Sequence, residues 1–287
     1  MKALGIDIGG TKIYGAVVDD GGKIVSEIKK YATPKTKKEI ESVLKSIIKE
    51  FEAEVDAIGI STAGAVSNDN KTILGSTGNL CADYPKIKFP SLSSKKVVVE
   101  NDANCAAWAE YKLGAGKGKE NIVVLTLGTG VGGGIIINGR LLKGKNGAAG
   151  EMHFKMSRNK RRHCTCGAYD CFEIYASGTG LKLTAQELSG NPAMTTYDVI
   201  DGVNAGDEIC IKILDTWQND ITDGIIGLAN IFDPDLIIIS GSMGQFVDYK
   251  KVTENVNKEL VTTPTKVIPA KFKNNAGLVG AALFALK

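Results

Sequence analysis

The chain has 287 residues, 43% of them hydrophobic and 23% charged, enough to bury a substantial core and to build two domains of ordinary size. A net charge of +3 is too small to point to nucleic acid, and no apolar run approaches the roughly 20 residues of a membrane span. The apolar start "ALGIDIGG" is short and broken at Asp7, unlike a secretory signal, so a cytoplasmic protein with no membrane and no nucleic-acid partner is expected.

From the N-terminus, "KALGIDIGG", "IYGAVVDDGG" and "KIVSEIKKYA" alternate apolar runs with turns and read as three antiparallel strands. After Pro34, Ile40, Val43, Leu44, Ile47, Ile48 and Phe51 fall at helical spacing with charges between them, and "VDAIGIS" returns the chain to a buried strand. "KKVVVE" predicts another strand, and "DANCAAWAEYKLG" a helix ended by Gly114. "ENIVVLTLGTGVGGGIIINGRLL" predicts two strands about a glycine-rich turn, and "LIIIS" after "FDPD" a further parallel-type strand. The pattern opening at "NIVVLTLGTG" looks like a second copy of the one that opens the chain. Two such α/β halves facing one another would place a cleft between them.

In "DIGGTK", residues 7–12, Gly9 and Gly10 let the backbone approach a ligand closely and Thr11 adds a hydroxyl donor. The segment leads into a strand and not a helix, so it is not a G-x-x-x-x-G-K-[ST] loop; a phosphate-wrapping turn and a plain glycine hairpin both fit it. "LGTGVGGG" repeats the arrangement in the second half, and a facing pair of such hairpins could clamp one polyphosphate. Glu100, Asn101 and Asp102 stand where a buried strand turns into a helix, a position from which side chains reach a crevice. Asn101 or Asp102 can serve there as an N-cap, and Asp102 can equally be the ionised acceptor that a hydroxyl's general base requires.

Three of the six cysteines and both histidines fall within residues 150–173. Cys164, Cys166 and Cys171 can converge on one tetrahedral ion, with a histidine completing a closed structural zinc site. A disulfide competes, but it suits a cytosolic chain poorly and leaves one thiol over. Cys81, Cys105 and Cys210 are isolated and read as small apolar residues. "KMSRNKRRH" packs five basic residues into what reads as a solvated loop.

Taken in order, "DIGGTK", "GISTAGAV", "STGNL", "ENDANCAAWAE", "LGTGVGGG", "GAAGE", "CTCGAYDCFE", "SGSMG" and "AGLVGAALFAL" resemble the ROK family of sugar kinases and sugar-responsive repressors, over nearly the whole chain. The resemblance implies a two-domain α/β fold of the actin-like (ribonuclease H-like) sugar kinase type with an interdomain cleft. Residues 1–105 would form the smaller domain, joined by a C-terminal helix at 275–287, and residues 106–274 the larger one, with a zinc-binding loop at 150–173. It implies ATP-dependent phosphorylation of the 6-hydroxyl of a hexose or N-acetylhexosamine, glucose and N-acetylmannosamine being the leading candidates, by a homodimer or higher homo-oligomer. Asp7, Gly9, Gly10, Thr11 and Lys12, with Gly128, Thr129 and Gly130, would line the ATP phosphates, Asp7 near magnesium, and Gly241 and Met243 would sit by the adenosine. Asn79, Asn101, Asp102, Glu151, His153 and Glu173 would bind the sugar, with Asp102 deprotonating the attacking hydroxyl.

The chain departs from the family's Gly-Glu-x-Gly-His at residues 150–154, which read "GEMHF". Either His153 is the zinc ligand with one residue lost before it, or His163 serves in its place. His163 adjoins Cys164 and would reach the same ion awkwardly, which favours His153. Asp170 replaces the glycine usual before the last cysteine. A sugar-sensing repressor is the alternative function, disfavoured because such proteins carry a DNA-binding domain ahead of the first phosphate motif, and Asp7 stands close to Met1.

Overall fold

A computed structural model of the chain describes residues 1–75, 79–156, 158–261 and 263–287. The first three residues of "STGNL", Ser76, Thr77 and Gly78, lie outside the described residues.

Strands β1 (Lys2–Ile8), β2 (Lys12–Asp19), β3 (Lys29–Ala32), β4 (Ala57–Thr62) and β5 (Lys96–Asn101) form a sheet of order β3-β2-β1-β4-β5. The first three strands are antiparallel neighbours, and β4 and β5 add in parallel. A second sheet contains β6 (Ile122–Leu127), β7 (Val131–Ile137), β8 (Arg140–Leu141), β9 (Leu236–Ser240) and β10 (Lys266–Pro269) in the order β10-β9-β6-β7-β8. Read from β8, that is the order of the first sheet, so the repeat seen in the sequence is a repeat of topology.

The helices are α1 (Lys37–Phe51), α2 (Asp102–Leu113), α3 (Glu173–Ala176), α4 (Gly178–Ser189), α5 (Thr196–Asn204), α6 (Glu208–Phe232), α7 (Tyr249–Lys258) and α8 (Ala276–Ala285). In the first copy α1, followed by one 3₁₀ turn at Glu52–Glu54, connects the third strand to the fourth. In the second copy the same connection holds α3 to α6, where no element was expected from the sequence. The third strand is also shorter than "KIVSEIKKYA" suggests. The Ser26 hydroxyl accepts the Val17 N–H at 2.9 Å, so a side chain takes a donor that a longer ladder would need.

Helix α1 is capped by Thr36, whose side chain accepts the Glu39 N–H, and it buries Ile40, Leu44, Ile47, Ile48 and Phe51. These pack with Leu4, Ile6, Val17, Ile58 and Ile60 of the sheet in one core. Helix α8 is apolar on all sides and buried along nearly its whole length, packing on α2, β1 and β4. The approach is close enough that a side chain on Gly5 or Gly59 would overlap the carbonyl of Leu278 or Ala281.

Contacts group the chain into two units: Met1–Glu120 with Gly134–Gly150 and Lys271–Lys287, and Asn121–Gly133 with Glu151–Ala270. This division differs from one at residues 105 and 106. Helix α2 packs on α8 as a whole and stays with it, and residues 143–145 are stitched to the first unit by Asn68, whose side-chain amide donates to the carbonyls of Gly144 and Lys145 at 3.2 and 3.0 Å. Among the described residues no helix is long and apolar enough to cross a membrane.

Candidate functional site

In the first unit the turn between β1 and β2 is closed by a bond from the Gly9 N–H to the Lys12 carbonyl at 2.9 Å. Buried Thr33 braces it from beyond β3, donating its hydroxyl to the Gly9 carbonyl at 2.6 Å and its N–H to the Thr11 carbonyl at 3.0 Å. Thr11 and Lys12 are exposed. A methyl on Gly10 would lie 2.9 Å from Asn79 Cβ, so the turn and Asn79 are brought together at a distance only glycine permits. Asp7 accepts the Ser61 hydroxyl at 2.6 Å and lines a cavity of about 370 Å³ with Tyr14, Ile28, Asn274, Asn275 and Leu278. Burial pushes its carboxyl above the ordinary value, and the Ser61 bond opposes that shift.

At the end of β5 the structure separates the two capping candidates. Asn101 is the N-cap of α2: its side-chain oxygen accepts the N–H groups of Ala103 and Asn104 at 2.9 and 3.1 Å, and its amide donates to the Gly64 carbonyl at 3.2 Å. Asp102 follows as the first helical residue and is exposed, one of its carboxylate oxygens sharing the Ala103 N–H at 2.8 Å. A carboxylate at a helix N-terminus is favoured in its ionised form by the helix dipole.

In the second unit the turn at residues 128–130 joins β6 to β7 and docks on the start of α4. The Gly178 N–H donates to the Gly128 carbonyl at 2.8 Å, and the Thr179 hydroxyl donates to the Thr129 carbonyl at 2.7 Å. Neither residue stood out in the sequence, although Ser177 followed by small residues is a helix-start signal, and its hydroxyl does cap α4. Gly241 has φ +88, and a side chain there would strike the Leu127 backbone. Met243 is buried, and its Sδ lies 3.2 Å from where a methyl on Gly178 would sit. Glu173 occupies a place the sequence did not reveal: one carboxylate oxygen accepts the Val131 N–H at 3.1 Å beside Gly130, and the other meets the Cys164 thiol at 3.7 Å and the Thr165 hydroxyl at 3.4 Å.

One ligand atom from each of His153, Cys164, Cys166 and Cys171 lies within 4.8 Å of all the others. Cys166 and Cys171 bring their sulfurs to 3.3 Å, and His153 Nδ1 is buried without a hydrogen-bond partner. A histidine with a buried, unpartnered ring nitrogen, grouped with three thiols, is the donor set of a closed zinc site, so the residues fit that ion. The Ala168 N–H, with the neighbouring thiols and His153, lowers the Cys166 thiol to about 7 against its burial. Burial pushes Cys171 up to about 12. His153 Nε2 lies 3.8 Å from the exposed Glu151 carboxylate. His163 is outside the cluster, its exposed ring packed edge-on against Tyr169 at 5.0 Å.

Asp170 adopts a left-handed backbone, with φ +59, a conformation that favours glycine and that Asp and Asn tolerate. Its carboxylate accepts the N–H groups of Lys160 and Arg162 at 2.7 and 3.1 Å and the Tyr175 hydroxyl at 2.7 Å, shaping the loop before the cysteines. The basic run in that loop is not simply solvated. Arg158 pairs with Asp220 and Asp223, and Arg162 is buried, bidentate to Glu187 at 2.7 and 2.8 Å and stacked on Tyr175. Carboxylates on α4 and α6 draw these guanidinium groups inward. Of the remaining cysteines, Cys105 and Cys210 are buried and Cys81 is partly so.

Two sheets of one topology, each with a glycine turn after its first strand, define an actin-like α/β fold with its glycine turns on matching hairpins. The chain belongs to the ROK family, whose model matches residues 3–287. It is 36% identical to a glucokinase of Streptomyces coelicolor, over 97% of this chain and 96% of that one. It is 33% identical to an N-acetylmannosamine kinase of Yersinia pseudotuberculosis, over 99% of this chain and 98% of that one. The crystal structure of a ROK family glucokinase from Streptomyces griseus, in complex with glucose and AMPPNP, matches with a TM-score of 0.82 at 32% identity, covering 100% of this chain and 99% of that one.

Proposed function

We propose that this protein, an ATP-dependent sugar kinase of the ROK family, transfers the γ-phosphoryl group to the 6-hydroxyl of a hexose or N-acetylhexosamine, glucose and N-acetylmannosamine being the first candidates. The observation that carries the reading is the division of labour at the start of α2. Asn101 caps the helix, and Asp102 stands exposed at its first position, where an ionised base can accept the hydroxyl proton as the oxygen attacks phosphorus. Asn79, Asn101, Glu151, His153 and Glu173 are read as ligands of the sugar hydroxyls. The turns at residues 9–12 and 128–130 hold the ATP phosphates through backbone N–H groups, with Gly241 and Met243 at the adenosine. Asp7 would hold magnesium, which supplies charge neutralisation at the phosphates. Little covalent chemistry is asked of the protein beyond alignment and the base. Zinc on His153, Cys164, Cys166 and Cys171 would be structural, stiffening the loop that carries Glu151 and Glu173. The names of the relatives support both sugars, and the displaced histidine of "GEMHF" is the local feature that bears on the choice.

Asp102→Asn keeps the shape of the side chain and removes the base. Turnover should fall on the order of a hundredfold or more, while sugar affinity by calorimetry stays near that of the parent. A panel of glucose, mannose, N-acetylglucosamine and N-acetylmannosamine, with phosphorus NMR of the product, identifies the substrate and the hydroxyl phosphorylated. Near-normal turnover in Asp102→Asn would remove Asp102 from the mechanism.

A further inference from the structure

Glu100, two residues before Asp102, is 1% exposed, and each of its carboxylate oxygens accepts two hydrogen bonds. One oxygen takes the Asn101 N–H at 2.9 Å and the Asn104 side-chain amide at 3.1 Å. The other takes the Asn70 amide at 2.7 Å and the Lys143 ammonium at 2.8 Å. Lys143 donates as well to the Ser67 carbonyl at 3.0 Å, and Asn70 to the Val99 carbonyl at 2.8 Å. Three segments distant in sequence therefore meet on one buried anion: the first turn of α2, residues 67–70, and the stretch after β8.

A buried ion pair is a poor device for stability alone, because an apolar pair of similar volume often serves as well without the desolvation cost. What this pair does that an apolar pair cannot is fix direction. Four donors on two oxygens define the orientation of the Asn101 peptide and of the Asn104 side chain, the two residues that bracket Asp102. We propose that Glu100 and Lys143 are positioning residues for Asp102, holding the strand-to-helix junction at the angle from which its carboxylate meets the acceptor hydroxyl. The proposal rests on the reading of Asp102 as the general base.

Glu100→Gln preserves volume but sets an amide N–H₂ among four donors, so the junction must turn or Lys143 must withdraw. Lys143→Met keeps the stem and removes the cation, and Lys143→Arg restores a cation. A misplacement of about 1 Å in a reacting group costs roughly a hundredfold in rate. In the full-length protein, Glu100→Gln and Lys143→Met should each lower kcat about ten- to a hundredfold per folded molecule, with the calorimetric sugar Kd moving less than about threefold and Lys143→Arg recovering most of the loss. In an Asp102→Asn background, Glu100→Gln should add no further loss, because no base remains to be aimed.

A fall in melting temperature with kcat unchanged within twofold would make the pair a plain anchor and overturn the proposal. A full additional loss in the Asp102→Asn background would overturn it too. Should Glu100→Gln not fold, the Lys143 variants decide alone, through loss in Lys143→Met and recovery in Lys143→Arg. An inactive Asp102→Asn beside a normal Glu100→Gln sinks only the positioning role, whereas an active Asp102→Asn sinks the base itself.

Discussion

Gly277 sits at the second position of α8, and a methyl there would lie 3.0 Å from both Asp7 Oδ1 and Ser61 Oγ, atoms already joined by a 2.6 Å hydrogen bond. Two effects of Gly277→Ala oppose each other. Alanine is favoured over glycine within a helix by up to about 1 kcal/mol. Pressing a methyl a few tenths of an ångström too close to two polar atoms costs about 1–3 kcal/mol. Stability should therefore change by less than about 2 kcal/mol, a shift of only a few degrees in melting temperature for a chain of this size. The function should not be so forgiving. The methyl is accommodated by turning the Asp7 carboxylate or displacing Ser61, which moves the group read as the magnesium ligand. Scaled from about a hundredfold per ångström, kcat/KM for magnesium–ATP should fall about tenfold, or about 1.4 kcal/mol. Gly59→Ala is the contrasting control, because its methyl meets the backbone carbonyl of Ala281 and can be relieved only by lifting α8. It should cost more than about 3 kcal/mol of stability. Initial rates against magnesium–ATP at saturating sugar, with thermal unfolding of both variants, measure the two effects separately. A Gly277→Ala enzyme with parental kcat/KM for magnesium–ATP would refute the idea that the start of α8 sets the Asp7 carboxylate.

Metal analysis of the purified protein should find one zinc per chain, and Cys166→Ser should release it with loss of thermal stability and of affinity for both sugar and nucleotide. His153→Ala should lower zinc content and His163→Ala should not; the reverse result would assign the fourth ligand to His163. Arg162→Met should destabilise the protein by about 2 kcal/mol, from lost charged hydrogen bonds to Glu187 and to the carbonyls of Ile174 and Gly180, a figure reduced because Glu187 is partly exposed. Arg162 holds the Glu187 carboxyl below its ordinary value of 4.5. A lowered folded pKa contributes stability above the unfolded value and loses it as pH falls through the folded one. The gap between parent and Arg162→Met should thus be steady at neutral pH and narrow below 4.5; a gap that widened in acid would contradict the assignment.

The elements that could be read from sequence are those with local signals. The 3.6-residue spacing of Ile40, Leu44, Ile47 and Phe51 marks α1, Gly114 marks the end of α2, and the apolar runs mark β4, β5, β6 and β9. Helix α6 had the same kind of signal in Ile213, Trp217, Ile221, Ile225 and Leu228, all buried, behind the N-cap Asp207. No such signal exists for Thr33 at the first glycine turn, for Ser61 on Asp7, or for Gly277 over both, because each acts through a contact formed only when distant segments meet. Asn101 and Asp102 could not be told apart as caps, since both residue types favour the position. Only the backbone course separates them.

The same limit explains why the cysteine loop looked like a feature of the sugar side alone. Residues 150–173 begin next to Glu151 and end at Glu173, so sequence spacing ties the cluster to two carboxylates. Folded, Glu173 reaches both ways: one oxygen is within contact of Cys164 and the other holds the N–H of Val131 beside Gly130. The ligand cluster and the second glycine turn are therefore joined through a single side chain in one unit. A metal on Cys164 and Cys171 fixes the loop segments that carry Thr165, whose hydroxyl donates to Glu173 at 3.4 Å, and Glu173 itself, and through Glu173 the Val131 N–H beside a turn read as a phosphate cradle. Loss of the metal should for that reason reach nucleotide binding as well as sugar binding, even though no metal ligand belongs to the turn.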